Sequence, residues 1–147
     1  MLPRIYFFVF VILVFLSCDN DDETYFNIPS VVQNAFLAEF PNSTDIKIRK
    51  SGENYEVDFE VDGKNARAFI APEGNILREK KEVSLKALPP EIKDSLKKFG
   101  ENRIKDPELI KSGNEIYYQA QIKRFFLNKK IVLDQSGRED TAMKYWK

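Results

Sequence analysis

One order of sequence signals occurs twice in this chain, and this duplication limits the folds that the chain can adopt. Each half begins with an apolar residue followed by proline, at Ile28-Pro29 and at Leu88-Pro89, which is a typical helix start. Apolar residues then recur at helical spacing, at Val32, Phe36 and Phe40 in the first half and at Ile92, Leu96 and Phe99 in the second. We therefore predict two tandem units, over residues 28–86 and 87–147.

Alternation of apolar and polar residues predicts strands after each helix. Residues 55–61 and 116–122 alternate with period two, and a Ser-Gly pair precedes each segment. Shorter apolar segments follow in both halves and end at turns that contain Gly74 and Gly137. Each unit is therefore predicted to contain one helix and three or four strands, which is an α+β fold.

The Asp62-Gly63 pair fixes the register of the first hairpin. A two-residue loop of this kind pairs Val61 with Lys64, and Asp58 with Arg67 further along the strands. The apolar residues of both strands then share the face toward the helix, and the polar residues share the other face.

The outward face of this hairpin carries three carboxylates, Glu56, Asp58 and Glu60, together with Phe69. We interpret the carboxylates as a solvated strand face. Acid–base catalysis by these three residues, as in a hydrolase, and metal binding are the alternatives that they raise. Phe69 is a candidate partner-binding residue, because an apolar ring on a polar sheet face is available for contact.

The second half has no Asn-Gly or Asp-Gly turn between its strands. Its connection is Lys123-Arg124-Phe125-Phe126-Leu127-Asn128-Lys129-Lys130, whose register the sequence leaves open. Basic residues on both sides of two phenylalanines suit a partner-binding tip or a contact with anionic lipid. Arg124, Phe125 and Phe126 are therefore candidate partner-binding residues. The interpretation that we favour, however, is that one phenylalanine fills the helix-facing side of the sheet and the lysines keep the hairpin soluble.

The first 17 residues have the pattern of a signal peptide. Arg4 precedes an apolar run from residue 5 to residue 16, which is too short for a membrane span of about 20 residues. Cys18 follows, and Leu16-Ser17-Cys18 resembles the lipobox at which bacterial lipoproteins are cleaved and lipidated. We predict a signal peptide over residues 1–17 and lipidation of Cys18. An ordinary secretory signal and an uncleaved anchor with a buried free cysteine are the alternatives.

Residues 18–27 begin with Cys18 and four acidic residues among the next five, which predicts a solvated tether. Acidic residues directly after a lipidated cysteine also resemble the signals that export some lipoproteins to the cell surface. The expected location is the outer membrane, with the domain facing either the periplasm or the outside of the cell.

Residue types exclude several kinds of chemistry. The chain has one cysteine and no histidine, which excludes a disulfide, a thiolate zinc centre or a Ser-His or Cys-His nucleophile within one chain. Removal of residues 1–17 takes away only Arg4 among the charged residues and leaves 22 basic and 23 acidic residues, which does not suit a nucleic-acid binder. We predict no enzymatic activity, no catalytic residues, no metal site, no cofactor and no nucleic-acid partner.

The repeated unit resembles the PepSY-like, or beta-lactamase-inhibitor-like, family of bacterial lipoproteins. The helix starts at Ile28-Pro29 and Leu88-Pro89, Phe40-Pro41 and the Asp62-Gly63 turn carry the resemblance. The second repeat departs from the pattern at Gly100, where a proline is expected, and at the missing Asp-Gly turn. The resemblance implies one open antiparallel sheet with both helices packed on one face, and no known catalytic residues.

These observations lead to a functional hypothesis with one main alternative. We expect a lipid-anchored binding module of the cell envelope that contacts a protease or another envelope protein. The most specific version of this hypothesis is that the module inhibits its partner. The alternative is a surface lipoprotein that binds a glycan or peptide ligand. A glycan binder would have a trough lined by Tyr117 and Trp146, which makes Tyr117 a further candidate partner-binding residue.

Overall fold

A computed structural model describes residues 28–147, so the predicted signal peptide, the acidic tether and Cys18 lie outside the described residues. The described residues form one seven-stranded antiparallel sheet, in which the strands follow one another in sequence order, and two α-helices. This confirms the predicted α+β fold. Within residues 28–147, neither helix is long and apolar enough to cross a membrane.

Both halves have a helix followed by strands, but the two sets of strands differ in number. The first half contains α1 (Ser30–Glu39), β1 (Thr44–Ser51), β2 (Asn54–Val61), β3 (Lys64–Ile70) and β4 (Ile76–Glu82). The second half contains α2 (Pro90–Lys97), β5 (Ile104–Ser112), β6 (Glu115–Ile122) and β7 (Lys129–Leu133). Single-turn 3-10 helices at Leu85–Ala87 and Glu101–Arg103 flank α2.

Proline sets the start of each helix. Pro29 is the N-cap of α1, and Pro89 is the N-cap of α2, whose first residue is Pro90. Both caps have φ close to the value that the proline ring fixes, so the chain enters each helix without added strain. The helices end earlier than the apolar spacing suggests. Phe40 is the C-cap of α1, and Phe99 lies beyond the end of α2.

The predicted register of the first hairpin is confirmed. Val61 pairs with Lys64, Asp58 with Arg67, and Tyr55 with Ile70. Asp62 and Gly63 both have positive φ, as the two-residue turn requires. The sequence of this turn therefore determines which residues of β2 and β3 face the helices.

Both helices cover the same face of the sheet, over two separate hydrophobic clusters. Cluster 1 lies under α1 and includes Val32, Phe36, Val57 and Ile70. Cluster 2 lies under α2 and consists of these buried residues: Leu88, Ile92, Leu96, Ile104, Ala120, Ile122, Ile131 and Leu133. Cross-strand pairing from Ala66 through Lys81, Leu109 and Tyr118 to Leu133 shows that the clusters share one face. Between them, β4 contributes no buried residue.

The connections between strands alternate between the two ends of the sheet, because each strand is antiparallel to the next. The turn between β3 and β4 lies at the same end as the start of α1, since a Cβ on Gly74 would lie 3.2 Å from Val31 and Ala35. The connection between β6 and β7 lies at the other end. The described chain therefore begins at one end of the sheet and presents the β6–β7 loop at the opposite end.

Candidate functional site

The β6–β7 loop, residues 123–128, projects the most exposed apolar side chains of the described chain. We call this loop the hairpin tip. Phe125 and Phe126 are each 94% exposed and Leu127 is 81% exposed. The two rings pack edge to face with their centroids 4.7 Å apart. The favoured interpretation, in which one phenylalanine fills the helix-facing side of the sheet, is therefore wrong.

Two hydrogen bonds between Arg103 and Lys123 hold the base of the hairpin tip. Lys123 N–H donates to the carbonyl of Arg103 at 2.7 Å, and the Arg103 Nε–H donates to the carbonyl of Lys123 at 3.0 Å. Ile122 pairs with Lys129, so six residues close the hairpin. No glycine relieves a tight turn here, and the longer loop keeps its apolar side chains away from the sheet.

The four cations beside the phenylalanines have different surroundings. Lys129 forms an ion pair with Glu139 at 2.8 Å, and the Lys130 ammonium lies 4.9 Å from the centre of the Tyr145 ring. Lys123 and Arg124 form no ion pair with any residue in the range 28–147. Two cations are therefore free beside the apolar tip.

The sheet face opposite the helices carries an ion-pair cluster on β1, β2 and β3. Arg49 contacts both Glu56 and Asp58, and Arg67 contacts Asp58 at 2.5 Å and Glu56 at 3.3 Å. The Asp58–Arg67 pair expected from the register is thus present, but it is half-buried and shared with Arg49. Both carboxylates are therefore paired with arginines, in an ion-pair cluster on a strand face.

Hydrogen bonds from the two arginines change the acidity of Asp58. Burial acts to raise its pKa, but the hydrogen bonds from Arg49 and Arg67, together with their positive charges, outweigh burial and hold the pKa below its usual range. The carboxylate is therefore charged at neutral pH and remains charged at pH values where a free aspartate begins to take up a proton.

We expect Asp58→Asn to lower the free energy of unfolding at pH 7 by about 1 kcal/mol, because a partly solvated carboxylate loses hydrogen bonds to two cations. A depressed pKa contributes stability above the pKa of the unfolded chain, and this contribution is lost as the pH falls through the folded pKa. Urea unfolding of both proteins at pH 7 and near pH 2 should thus show a difference at pH 7 that shrinks in acid. An equal difference at both pH values would contradict this prediction. Glu53→Gln, in the exposed β1–β2 turn, is the control.

The C-terminal tail, residues 141–147, crosses the same sheet face and covers part of it. Trp146 is buried, and its backbone exchanges two hydrogen bonds with the side-chain amide of Gln119 on β6, at 2.9 Å and 2.7 Å. Lys80 on β4 donates to the Trp146 carbonyl at 3.1 Å. Arg67 on β3 donates to the main-chain oxygen of Lys147 at 2.5 Å.

Aromatic rings of this tail also pack against the sheet. The Arg78 guanidinium lies 4.2 Å from the centre of the Trp146 ring and 5.2 Å from that of Phe69. Burial raises the pKa of Tyr145 to about 12, and the charge of Glu108 adds to this shift. The phenol of Tyr145 is therefore neutral at every physiological pH.

The structure does not bring all the predicted partner-binding residues together. Arg124, Phe125 and Phe126 share the hairpin tip, whereas Phe69 lies half-buried beside Arg78 on the sheet. The Tyr117 hydroxyl donates to Glu115 at 2.6 Å, and a shallow depression next to it is lined by residues 134–136, Arg138 and Asp140. Trp146 is buried and does not line this depression, so the structure does not bring Tyr117 and Trp146 together in the trough that a glycan binder would have.

The sequence did not reveal that the C-terminal tail docks on the sheet, or which sheet residues hold it. Gln119 and Trp146 are separated by 27 positions, and neither lies in a motif that links them. Gln119 lies on the same side of β6 as Tyr117 and Gln121, which predicts a polar face. It is nevertheless buried, and it is the one buried polar residue among residues 28–147. A buried amide needs hydrogen-bond partners, but the sequence does not identify them.

Comparison with known proteins shows a shared fold. No protein-family model and no curated protein matches the sequence. A BLIP-like protein from Bacteroides fragilis aligns with a TM-score of 0.68 and 22% identity, over 82% of this chain and 88% of that chain. A protein of predicted periplasmic location from Bacteroides eggerthii aligns with a TM-score of 0.70 and 15% identity, over 77% and 86% of the two chains. A DUF2874 family protein from Bacteroides ovatus aligns with a TM-score of 0.66 and 13% identity, over 77% and 84%.

Proposed function

We propose that this chain is a non-enzymatic, lipid-anchored module of the bacterial cell envelope that binds another protein through its hairpin tip. The observation that carries the proposal is the exposure of three consecutive apolar side chains, Phe125, Phe126 and Leu127, on a loop with an anchored base. Clustered aromatic side chains with adjacent cations are typical of the residues that dominate binding energy at protein interfaces.

A protein partner suits the hairpin tip better than an anionic membrane. Segments that bind membranes through charge have clusters of about four to eight Lys and Arg residues. The tip has four, but Lys129 is paired with Glu139 and Lys130 lies against Tyr145, which leaves Lys123 and Arg124 for an outside anion. The position of the tip supports the same choice. Lipid on Cys18 would tether the chain at residue 28, and the tip lies at the opposite end of the sheet. The tip would then point away from the membrane that holds the anchor.

The partner surface should be an apolar pocket with acidic groups at its rim. Phe125 and Phe126 would enter the pocket, and Lys123 and Arg124 would face the acidic groups. Inhibition of an envelope protease is the most specific form of this proposal, and the shared fold with a BLIP-like protein is compatible with it. The lipobox-like sequence before Cys18 supports an outer-membrane location. The Bacteroides eggerthii protein, which shares the fold and has a predicted periplasmic location, is compatible with an envelope protein.

The test is crosslinking in intact cells that produce the full chain, followed by affinity capture and mass spectrometry. We expect one envelope protein to be captured by the native chain. Its recovery should fall about tenfold or more for the double variant Phe125→Ala/Phe126→Ala, because each truncated interface anchor costs roughly 2 kcal/mol. Binding of the purified partner to the purified chain should weaken to the same extent.

Two further variants make the result specific. Leu37→Ala removes a half-exposed apolar side chain from α1 and should leave capture unchanged. Cys18→Ala should move the chain out of the membrane fraction, whereas its affinity for the purified partner should stay the same. Equal capture by native chain and double variant would disprove the role of the hairpin tip. Binding to phosphatidylglycerol vesicles that depends on both phenylalanines, with no captured protein, would favour the membrane alternative.

A further inference from the structure

The C-terminal tail is held to the sheet as a bound peptide is held by a receptor. The chain leaves the edge of β7 after Asp140, whose N–H donates a hydrogen bond to the carbonyl of Val132. Beyond this point, the backbone of Trp146 and Lys147 hydrogen-bonds to side chains of the sheet, namely Gln119, Lys80 and Arg67. Within the described part of the chain, no strand pairs with residues 141–147.

The receptor groups hold one another in place. Gln119 is only 2% exposed, and its amide also donates to Glu108. Glu108 forms an ion pair with Lys80 at 2.9 Å, and the side chains of this pair are 13% and 11% exposed. These contacts involve no residue of the tail, so they can hold the amide and the ammonium in place without it. A preorganised set of polar groups binds a ligand at a lower entropic cost.

The site also has an apolar part. Ile110 and Val132 lie on the same sheet face as Gln119 by register, and both are buried although they belong to neither hydrophobic cluster. The tail crosses this face, and the Arg78 guanidinium stacks on the Trp146 ring. The site therefore combines an apolar floor, a cation for an aromatic face and donors for backbone carbonyls.

The tail lies outside both helix-covered clusters, although its departure would expose Trp146, which is buried in the bound position. Neither cluster 1 nor cluster 2 contains a residue of the tail, and both lie on the opposite, helix-covered face. The sheet ladders likewise do not depend on it. The tail can thus leave without removing a residue from either helix-covered cluster.

We propose that this face is a binding site for an extended peptide segment of another protein, and that the C-terminal tail occupies it as an intramolecular ligand. The incoming segment has an aromatic residue that stacks on Arg78 and whose N–H and carbonyl pair with Gln119. Lys80 binds the same carbonyl, and Arg67 binds the carbonyl of the next residue. This site is separate from the hairpin tip, and the proposal does not depend on the function proposed for the tip.

The tail competes with any added peptide. A tethered segment has an effective concentration on the order of millimolar, so a peptide of similar intrinsic affinity displaces it only at millimolar concentrations. A variant that weakens the tail should bind the same peptide at lower concentration, because the competition is reduced. This difference separates an intramolecular ligand from a permanent part of the fold.

The first experiment uses the native full chain, in which Trp146 is the only tryptophan. The probe is a synthetic peptide of residues 141–147 that carries W146F and therefore adds no tryptophan fluorescence. We expect saturable displacement at millimolar peptide, seen as a shift of Trp146 emission to longer wavelength as the ring enters water. A scrambled peptide should produce no shift. Emission that stays unchanged up to the solubility limit of the peptide would overturn the proposal.

The second experiment uses the full chain with Trp146→Ala and the unmodified peptide of residues 141–147, which then contains the only tryptophan in the mixture. Binding should shift the peptide emission to shorter wavelength, at peptide concentrations about tenfold or more below those of the first experiment. Gln119→Leu in the same background should weaken binding about tenfold or more, because two hydrogen bonds to the peptide backbone are lost.

Gln135→Leu is the matched control, because Gln135 is exposed in the turn after β7 and lies outside the site. Circular dichroism and thermal unfolding verify that each variant is folded. Binding that is the same with Gln119→Leu and Gln135→Leu would overturn the assignment of the site. If Trp146→Ala unfolds the chain, the tail is part of the fold and not a displaceable ligand, and the native-chain experiment should then show no displacement.

Discussion

Replacing Phe36 with alanine should lower the free energy of unfolding by about 3 to 5 kcal/mol, the range observed when a buried phenylalanine is truncated. Phe36 is 1% exposed and lies in the centre of cluster 1. Its ring packs edge to face with Phe59 at 4.9 Å, and the Phe40 ring lies 5.3 Å away. Truncation removes both contacts and leaves a cavity between α1 and the sheet. Urea unfolding followed by circular dichroism measures the loss.

Leu37→Ala provides the comparison, since Leu37 is the next residue of α1 and is 50% exposed. Its truncation should cost less than about 1 kcal/mol, as is usual for substitutions outside the core. Similar losses for the two variants would show that α1 does not pack on the sheet through the face described here.

A second large effect is expected at Gly137, in the turn after β7. Its φ is +80°, and a Cβ at this position would lie 2.6 Å from both the Glu91 carbonyl oxygen and the Ser95 hydroxyl of α2. Ser95 also donates a hydrogen bond to the Gly137 carbonyl at 2.6 Å, which holds the turn against the helix. Gly137→Ala combines the cost of a left-handed conformation with a backbone clash, and we expect a loss of about 3 kcal/mol or more.

Gly113 isolates the conformational part of this effect. It also has a positive φ, +57°, but a Cβ there would meet no atom within 4 Å. Gly113→Ala should therefore cost only about 1 to 2 kcal/mol. The difference between the two variants in thermal or urea unfolding measures the contact between the turn and α2. Equal losses would mean that the turn does not approach the helix so closely.

The parts of the fold that the sequence predicts correctly depend on local signals. Asp62-Gly63 specifies a two-residue turn, and from it the register of β2 and β3 and the facing residues of the sheet follow. The helix starts follow in the same way from Pro29 and Pro89, which constrain only their neighbours. In each case the physical cause lies within a few residues of the effect.

The parts that sequence reasoning missed depend on distant contacts. β4 pairs with strands on both sides, but its sequence, Ile76–Glu82, is mostly charged and lacks the apolar alternation of a half-buried strand. Arg49 joins the Asp58–Arg67 pair from β1, which the hairpin register alone does not reveal. Gln119 meets Trp146 only because the tail returns across the sheet. Such contacts arise from the assembled tertiary structure.

The path of the C-terminal tail has a consequence for how the molecule unfolds. On the helix-covered face, cluster 1 and cluster 2 are separate, and β4 between them supplies no buried residue. On the opposite face, the tail contacts Arg67 on β3 and Lys80 on β4 as well as Gln119 on β6. These contacts join the two halves across β4. Release of the tail should therefore make the unfolding of the half with cluster 1 less coupled to that of the half with cluster 2. Hydrogen exchange in one half then depends less on the stability of the other half.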